Sequence, residues 1–278
     1  MDDDSIFSPS YPIELLSRSP FLLDREPLRA ALSDRLGRVD CPDDDMDSAL
    51  LFFLRDHPVE LRDASVPAQL AFLTTDAPAD HSRYEAVLGQ SWDIDDAGER
   101  LSACQYSVSM ANMMSSSLPQ LQRRQIVAGG LLALLDLVDA DLVYWPQTEQ
   151  MLDPDKVRSM LAEPDERANP AYGFVNVRFF NVEESGERVM DTLGLGALGL
   201  TDLQMHYRDL EPARVARFLH SLAAYLMENG DIIENGHTVQ GLEGDDRWTC
   251  LHQMALVAPE RVVLDVDPGA PQAAGERG

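Results

Sequence analysis

Lysine is almost missing from this chain of 278 residues, with Lys156 standing alone beside 21 arginines. Arginine suits paired and partly buried sites better than lysine does, because its planar fork meets a carboxylate through two hydrogen bonds. Positive charge of any kind is scarce. Asp and Glu number 48 against 22 Lys and Arg, a formal net charge of -26. Divided over residues 1–100, 101–190 and 191–278, the balance is -13, -5 and -8, so the excess is global and heaviest at the front. A chain with this field repels nucleic-acid phosphates and anionic lipid, which excludes autonomous binding to either. Long apolar runs are also missing. No tract approaches the roughly 18 residues of a membrane-spanning helix, so no membrane span is expected. The opening Met1-Asp2-Asp3-Asp4 lacks the basic start and apolar stretch of a secretory signal, and a cytoplasmic protein is expected. Cysteine is sparse and odd in number. Cys41, Cys104 and Cys250 lie far apart with no C-x-x-C pair, which fits a reducing compartment and gives no zinc or redox motif.

What is present is enough to bury a core, because 45% of the residues are hydrophobic. Residues 1–20 are acidic and turn-rich, and are expected to be partly disordered. The body is expected to run over 21–268, with sub-lobes 21–165 and 166–268, and 269–278 reads as a flexible tail. Leu28, Ala31, Leu32 and Leu36 keep helical spacing over Asp24–Leu36. The run Ala49–Leu54 reads as a buried strand closed by a turn at Arg55–Pro58, with Gln69–Thr75 as its neighbour. A short helix follows near Ser82–Gly89. Leu101–Met114 reads as the clearest strand, with Cys104, Tyr106, Val108 and Met110 on one face. Pro119 opens a helix with Leu121, Ile126, Leu131, Leu134, Leu135 and Val138 inward, and its Gly129-Gly130 pair implies close packing on another element. Strands follow at Asp141–Trp145, Tyr172–Phe180 and Leu203–Tyr207. A second long helix is capped by Asp209–Pro212 and stopped by Asn229-Gly230. Strands at Asp231–Ile233, His237–Gln240, Trp248–His252 and Arg261–Val266 complete the pass. The class is α+β: mixed sheet or sheets with two principal helices, arranged as two pseudo-repeated β-α-β halves or as two ordinary β-α-β passes.

The motifs are weak. Gly194-x-Gly196-x-x-Gly199 matches a dinucleotide fingerprint in letters, but it leads into a strand where the mechanism needs a helix, so it reads as a tight connector. Asp93, Asp95, Asp96 and Gly98 resemble the start of a calcium loop, but Ala97 stands at a ligand position and Cys104 where a bidentate Glu belongs. The histidines give no zinc spacing, and there is no G-x-S-x-G elbow. No cofactor and no metal are expected. Arg178 interrupts an apolar strand and needs a carboxylate, for which Asp191 and Asp202 are the natural candidates. With His206 and His237 these residues define a candidate polar pocket for acid–base work, set against their use as buried staples for turns and strand ends.

The segments Gln90–Asp93, Asn176–Phe180, Val189–Gly194, Gly199–Gln204, Glu228–Asp231 and Gly236–Gly241 resemble the DUF4261 family, a bacterial group without an assigned function. The resemblance extends over about residues 20–268 and implies one family-level architecture. It brings no catalytic residues with it. The leading expectation is a non-enzymatic protein that captures a basic protein partner by charge, in the manner of a bacterial immunity protein that neutralises a toxin, including toxins delivered by type VI secretion. Its contact residues are expected among Asp43, Asp44, Asp45, Asp47, Asp93, Asp95 and Asp96. The alternative is an enzyme or small-molecule binder using the pocket around Arg178, Asp191, His206 and His237. A homodimer formed through sheet edges or the Trp248–His252 region is a third expectation.

Overall fold

Alternating apolar residues need two surfaces to bury them, and the chain supplies two separate sheets. A computed structural model describes residues 10–42, 49–75, 80–162, 169, 171–182 and 185–275. The chain divides into two compact units, the first ending at Gly173 and the second beginning at Phe174. Both combine sheet with helix, so the protein is α+β.

In the first unit the elements are β1 (Ser10–Ser17), α1 (Arg25–Leu36), β2 (Val39–Asp40), β3 (Ala49–Glu60), β4 (Ser65–Thr75), α2 (Glu85–Leu88), α3 (Ala97–Ala103), β5 (Tyr106–Met113), α4 (Gln120–Leu135), β6 (Leu142–Trp145), β7 (Gln150–Leu152) and α5 (Pro154–Leu161). Their strands form a seven-stranded antiparallel sheet in the order β2-β3-β4-β5-β1-β6-β7. Buried Leu28, Leu32 and Leu36 give α1 its inward stripe. On α4 both glycines serve close approach. A Cβ on Gly129 would stand 2.7 Å from Leu36 Cδ2, and one on Gly130 would stand 2.9 Å from Leu70 Cδ1 and from Met110 Sδ.

Several expectations are corrected here. Ser10–Ser17, within the front segment expected to be partly disordered, is a strand lying between β5 and β6, with Ile13, Leu15 and Leu16 buried. Pro12 disguised it. β6 pairs only with Glu14, Leu15 and Leu16, so Pro12 occupies a stretch of β1 flanked on one side, where a missing N–H is tolerated. β3 does not end at a turn. A register shift between Leu54 and Pro58 absorbs the Arg55–Pro58 segment, and pairing resumes to Glu60. Leu101 belongs to α3 rather than to a strand. Its burial alongside Ala97 follows an i, i+4 repeat, and period-two burial begins only after Tyr106. Leu121, expected inward, is exposed.

The second unit contains β8 (Asn176–Asn181), β9 (Arg188–Leu193), β10 (Asp202–Tyr207), α6 (Pro212–Asn229), β11 (Thr238–Gln240), β12 (Arg247–Met254) and β13 (Val262–Asp267). The sheet order is β11-β12-β13-β10-β9-β8, and the β10–β13 pair is parallel within otherwise antiparallel pairing. The Glu211 carboxylate accepts from the backbone N–H groups of Ala213 and Arg214, Pro212 follows at the first helical turn, and Gly230 at φ 84° ends α6. The stripe Val215, Leu219, Leu222, Ala223 and Leu226 is buried, and Phe218 meets Trp248 edge-on at 4.9 Å between ring centroids. Trp248 is therefore spent on its own helix. Asp231–Ile233 is not a strand. The chain there turns back toward β12, where Gly236 N donates to Cys250 O and Cys250 N to His237 O. The segment after β13, expected to be loose, is held through its described part. Tyr207 bridges Ala273, Arg208 N donates to Gln272 O, and Ala274 is buried.

Gly173 gives a direct test of the packing in the first unit. It has φ +78°, and a Cβ there would lie 2.2 Å from the Trp145 ring, which is fully buried. Gly173→Ala is expected to cost about 3 kcal/mol, through overpacking and left-handed strain together. Chemical denaturation against wild type measures the loss.

Candidate functional site

Side chains alternate along each strand, so one face of the second sheet carries Leu203, Met205, Leu264, Val266 and Cys250 toward α6. The other face carries the polar positions. Register aligns Arg178 with Asp191, Asp191 with Gln204, and Gln204 with Asp265, a row crossing β8, β9, β10 and β13. All four are buried. Groups of this kind are costly inside a protein unless each is hydrogen-bonded and each charge is matched.

They are matched closely. Arg178 Nε donates to Asp191 Oδ1 at 3.0 Å and Nη2 to Asp191 Oδ2 at 2.6 Å, a two-point pair whose third contact is Nη2 to Ala258 O at 2.8 Å. Arg261, from the loop between β12 and β13, donates through Nη2 to Asp191 Oδ2 at 2.7 Å and to Thr192 O at 2.9 Å. Its Nε reaches Asp202 Oδ2 at 3.3 Å, and its Nη1 donates to Pro259 O at 2.9 Å. Asp202 Oδ1 accepts from Thr192 Oγ1 at 3.1 Å and from Leu195 N at 3.0 Å, while Thr192 Oγ1 accepts from Leu203 N at 2.8 Å. Gln204 completes the set, donating to Asp265 Oδ1 at 3.2 Å and accepting from Leu256 N at 2.7 Å. Two guanidiniums thus face the Asp191 and Asp202 carboxylates beneath the 255–261 loop, which is stitched to the sheet at both ends, while the third buried carboxylate, Asp265, accepts from Gln204. Burial pushes the Asp202 carboxyl above its usual range, opposed by Arg261 and by the Leu195 and Thr192 hydrogen bonds.

The arrangement unites three of the five pocket candidates. Arg178 and Asp191 are joined directly, and Asp202 joins them through Arg261. The histidines take other partners. His206 Nε2 lies 3.0 Å from Glu187 Oε2, and its ring is overlaid by Gly275, whose added Cβ would come within 2.5 Å of Nδ1. His237 sits in an exposed turn, where Nδ1 accepts from Glu234 N at 3.2 Å. Arg261 escaped the sequence reading because it borders a turn and looks like a strand start. The available signal was that the apolar strands carry three aspartates, Asp191, Asp202 and Asp265, against the single arginine Arg178, so a further cation is needed.

The glycine motif is a connector. Leu195–Leu198 is a 3-10 turn between β9 and β10, closed by Gly199 at φ 82°. Cys104 and Cys250 are buried, and burial pushes both thiols up to about 11, away from thiolate chemistry at neutral pH. Among the described residues no three His, Cys, Asp or Glu side chains converge as a metal site would require. Of the expected partner-binding acids, Asp43, Asp44, Asp45 and Asp47 lie outside the described residues. Asp93, Asp95 and Asp96 are exposed. Asp93 Oδ1 accepts from Lys156 Nζ at 2.7 Å and Asp96 Oδ2 from Arg100 Nε at 2.9 Å, so these two already hold local cations.

The second unit is thus a mixed-sheet domain with α6 over one face and an arginine–aspartate cluster closing the other. Residues 191–267 match the model of the DUF4261 family, a domain of unknown function. The matched span includes Asp191, Asp202, His206, His237 and Arg261, and it takes in the motifs Gly199–Gln204, Glu228–Asp231 and Gly236–Gly241. Gln90–Asp93 and Asn176–Phe180 fall outside it. No curated protein and no solved structure matches the chain. No described helix is long and apolar enough to cross a membrane.

Arg261→Met is expected to destabilise the protein by about 3 kcal/mol, because two buried carboxylates lose their shared cation. Replacing a pair together, in Arg178→Met with Asp191→Leu, is expected to cost clearly less than the sum of its single variants, as measured by urea denaturation. Asp202 supplies a pH test. With its folded-state pKa above the unfolded value, the native state holds the extra proton, so this group's contribution to stability falls as pH rises from about 4 toward its folded pKa. Asp202→Asn keeps the Oδ1 acceptor and removes the titration, so its unfolding free energy should fall less steeply over that range.

Proposed function

We propose that the protein is a non-enzymatic interaction protein that captures a basic protein partner, as an immunity protein captures a toxin, including toxins of the type VI secretion kind, and that it works in the cytoplasm. The observation that carries this reading is the net charge of -26. Local pairing does not absorb it. Surface arginines are already committed one by one to nearby acids, as Arg38 is to Asp56 at 2.6 Å, Arg55 to Asp40 at 2.6 Å and Arg18 to Asp141 at 2.6 Å. Acid exceeds base by 26 over the whole sequence, and among the described residues Asp95 faces solvent. A field of this kind speeds encounter with a basic surface and discourages acidic competitors. Exposed pairs such as Asp93–Lys156 and Asp96–Arg100 contribute little to stability, so a partner's cations can exchange into them at small cost.

The polar cluster of the second unit supports the same choice over ligand chemistry. Its arginines are turned on Asp191 and Asp202, and the histidines take other partners, His206 beside Glu187 and His237 in the Glu234 turn.

Two measurements test the proposal. Pull-down at low salt from the protein's own cells should recover a specific basic partner, and deleting the gene should remove resistance to a neighbouring toxin; failure of both ends the idea. With the partner in hand, neutralising Asp93, Asp95 and Asp96 together to Asn should slow association about three- to tenfold at low salt while leaving dissociation nearly unchanged, as read by stopped-flow binding.

A further inference from the structure

In the first unit, the sheet face turned away from α4 is covered over only part of its width. Leu16, Leu142 and Met151 on that face are buried beneath Tyr84, Val87, Ile94 and Leu101 from the 84–101 segment. Glu14, on the boundary, accepts a hydrogen bond from Tyr84 Oη at 2.9 Å. Among the described residues that cover does not extend over β3, β4 and β5. Register places Leu51, Ala71 and Ala111 in one cross-strand row and Phe53, Gln69 and Met113 in the next. These are half-exposed, and Leu73, in the row beyond, is 51% exposed. Contiguous apolar surface of this kind on a sheet marks an interaction site more often than it marks a free surface.

The charge of the sequence that carries and joins these strands selects the occupant. The sequence has no Lys or Arg between Arg38 and Arg55, but five aspartates, at 40, 43, 44, 45 and 47. Between Arg62 and Arg83 there is again no base, and there are aspartates at 63, 76 and 80. Between Arg100 and Arg123, the stretch that contains β5, there is no charged residue. On the face itself Asp40 stands opposite Phe53, and of the two nearby cations Arg55 is bound to Asp40 at 2.6 Å and Arg29 to Glu26 at 2.7 Å. A second copy of this chain would bring the same acids and another -26 of charge against it.

We infer that the open face of β3, β4 and β5 is the docking surface for the basic partner, which meets it with an apolar ridge flanked by lysine or arginine. This deepens and rests on the capture of a basic partner proposed above. The apolar rows supply affinity and the acidic excess of the chain supplies rate. An amphipathic helix with cationic flanks is one shape that satisfies both.

The probe is a short synthetic amphipathic helix of leucine and lysine carrying a fluorophore, titrated with the full-length protein at low and at moderate salt. Leu73→Asp should weaken binding by about tenfold although it adds negative charge, and Leu73→Met should leave it near wild type. Met113→Glu, on another strand of the same face, should act as Leu73→Asp does and replaces it if that variant does not fold, as judged by thermal unfolding. Equal or tighter binding by the aspartate variant overturns this inference and leaves capture by charge standing. Absence of any binding to wild type at low salt overturns both. A wild-type dimer in sedimentation equilibrium that Leu73→Asp dissociates makes a second copy the occupant, and overturns it as well.

Discussion

Three aspartates, Asp191, Asp202 and Asp265, are buried in the strands of the second sheet, and the first two impose the constraint on which that unit depends. Asp191 and Asp202 lie almost wholly out of water, where an ionised carboxylate is tolerated only beside a cation and a full set of donors. Arg178 alone cannot serve both, because its fork is filled by Asp191 and by Ala258 O. The second guanidinium comes from Arg261, and bringing it in fixes the path of the 255–261 loop over the sheet. The loop in turn satisfies Gln204 through Leu256 N. Removing one member leaves the others charged and buried, so the cluster behaves as a unit. Ion pairs of this type add less net stability than their number suggests, and what they define is a particular arrangement of strand and loop.

The first unit manages a different problem. An interior strand, β1, buries residues toward both faces, so the sheet needs cover on two sides. Helices α1 and α4 supply one side, with Gly129 and Gly130 letting backbone and side chains approach closely. The 84–101 segment supplies the other, but only toward β6 and β7. The apolar rows left on β3, β4 and β5 coincide with the most base-poor parts of the sequence. That coincidence, in sequence, of apolar strands with aspartate-rich connections is what links this unit to the proposed capture of a basic partner.

The sequence was legible wherever periodicity was strong and local. The α1 stripe, the two long helices, the β3–β4 pair and the β12–β13 region stand close to their expected places, because burial at every second or every third-to-fourth residue leaves a direct trace in the letters. It misled where a local signal had a second meaning. Pro12 suggested a turn but occupies a one-sided stretch of β1. Asp231–Ile233 looked like a strand opening a hairpin, yet lies in a turn docked on β12. Leu101 continued an apolar run that is helix until Ala103.

By itself the sequence determined the charge balance, the α+β class and the need of Arg178 for a carboxylate, because composition, periodicity and the cost of a bare buried cation are local matters. Only the tertiary structure decided which residues share that need. Asp191, Asp202 and Arg261 are up to 70 positions apart along the chain and meet through strand register and a returning loop, which no spacing rule records. The same holds for the open face of the first sheet. Its rows are assembled from three strands, and whether a row lies under a covering segment or stays open depends on how far that segment reaches across the sheet.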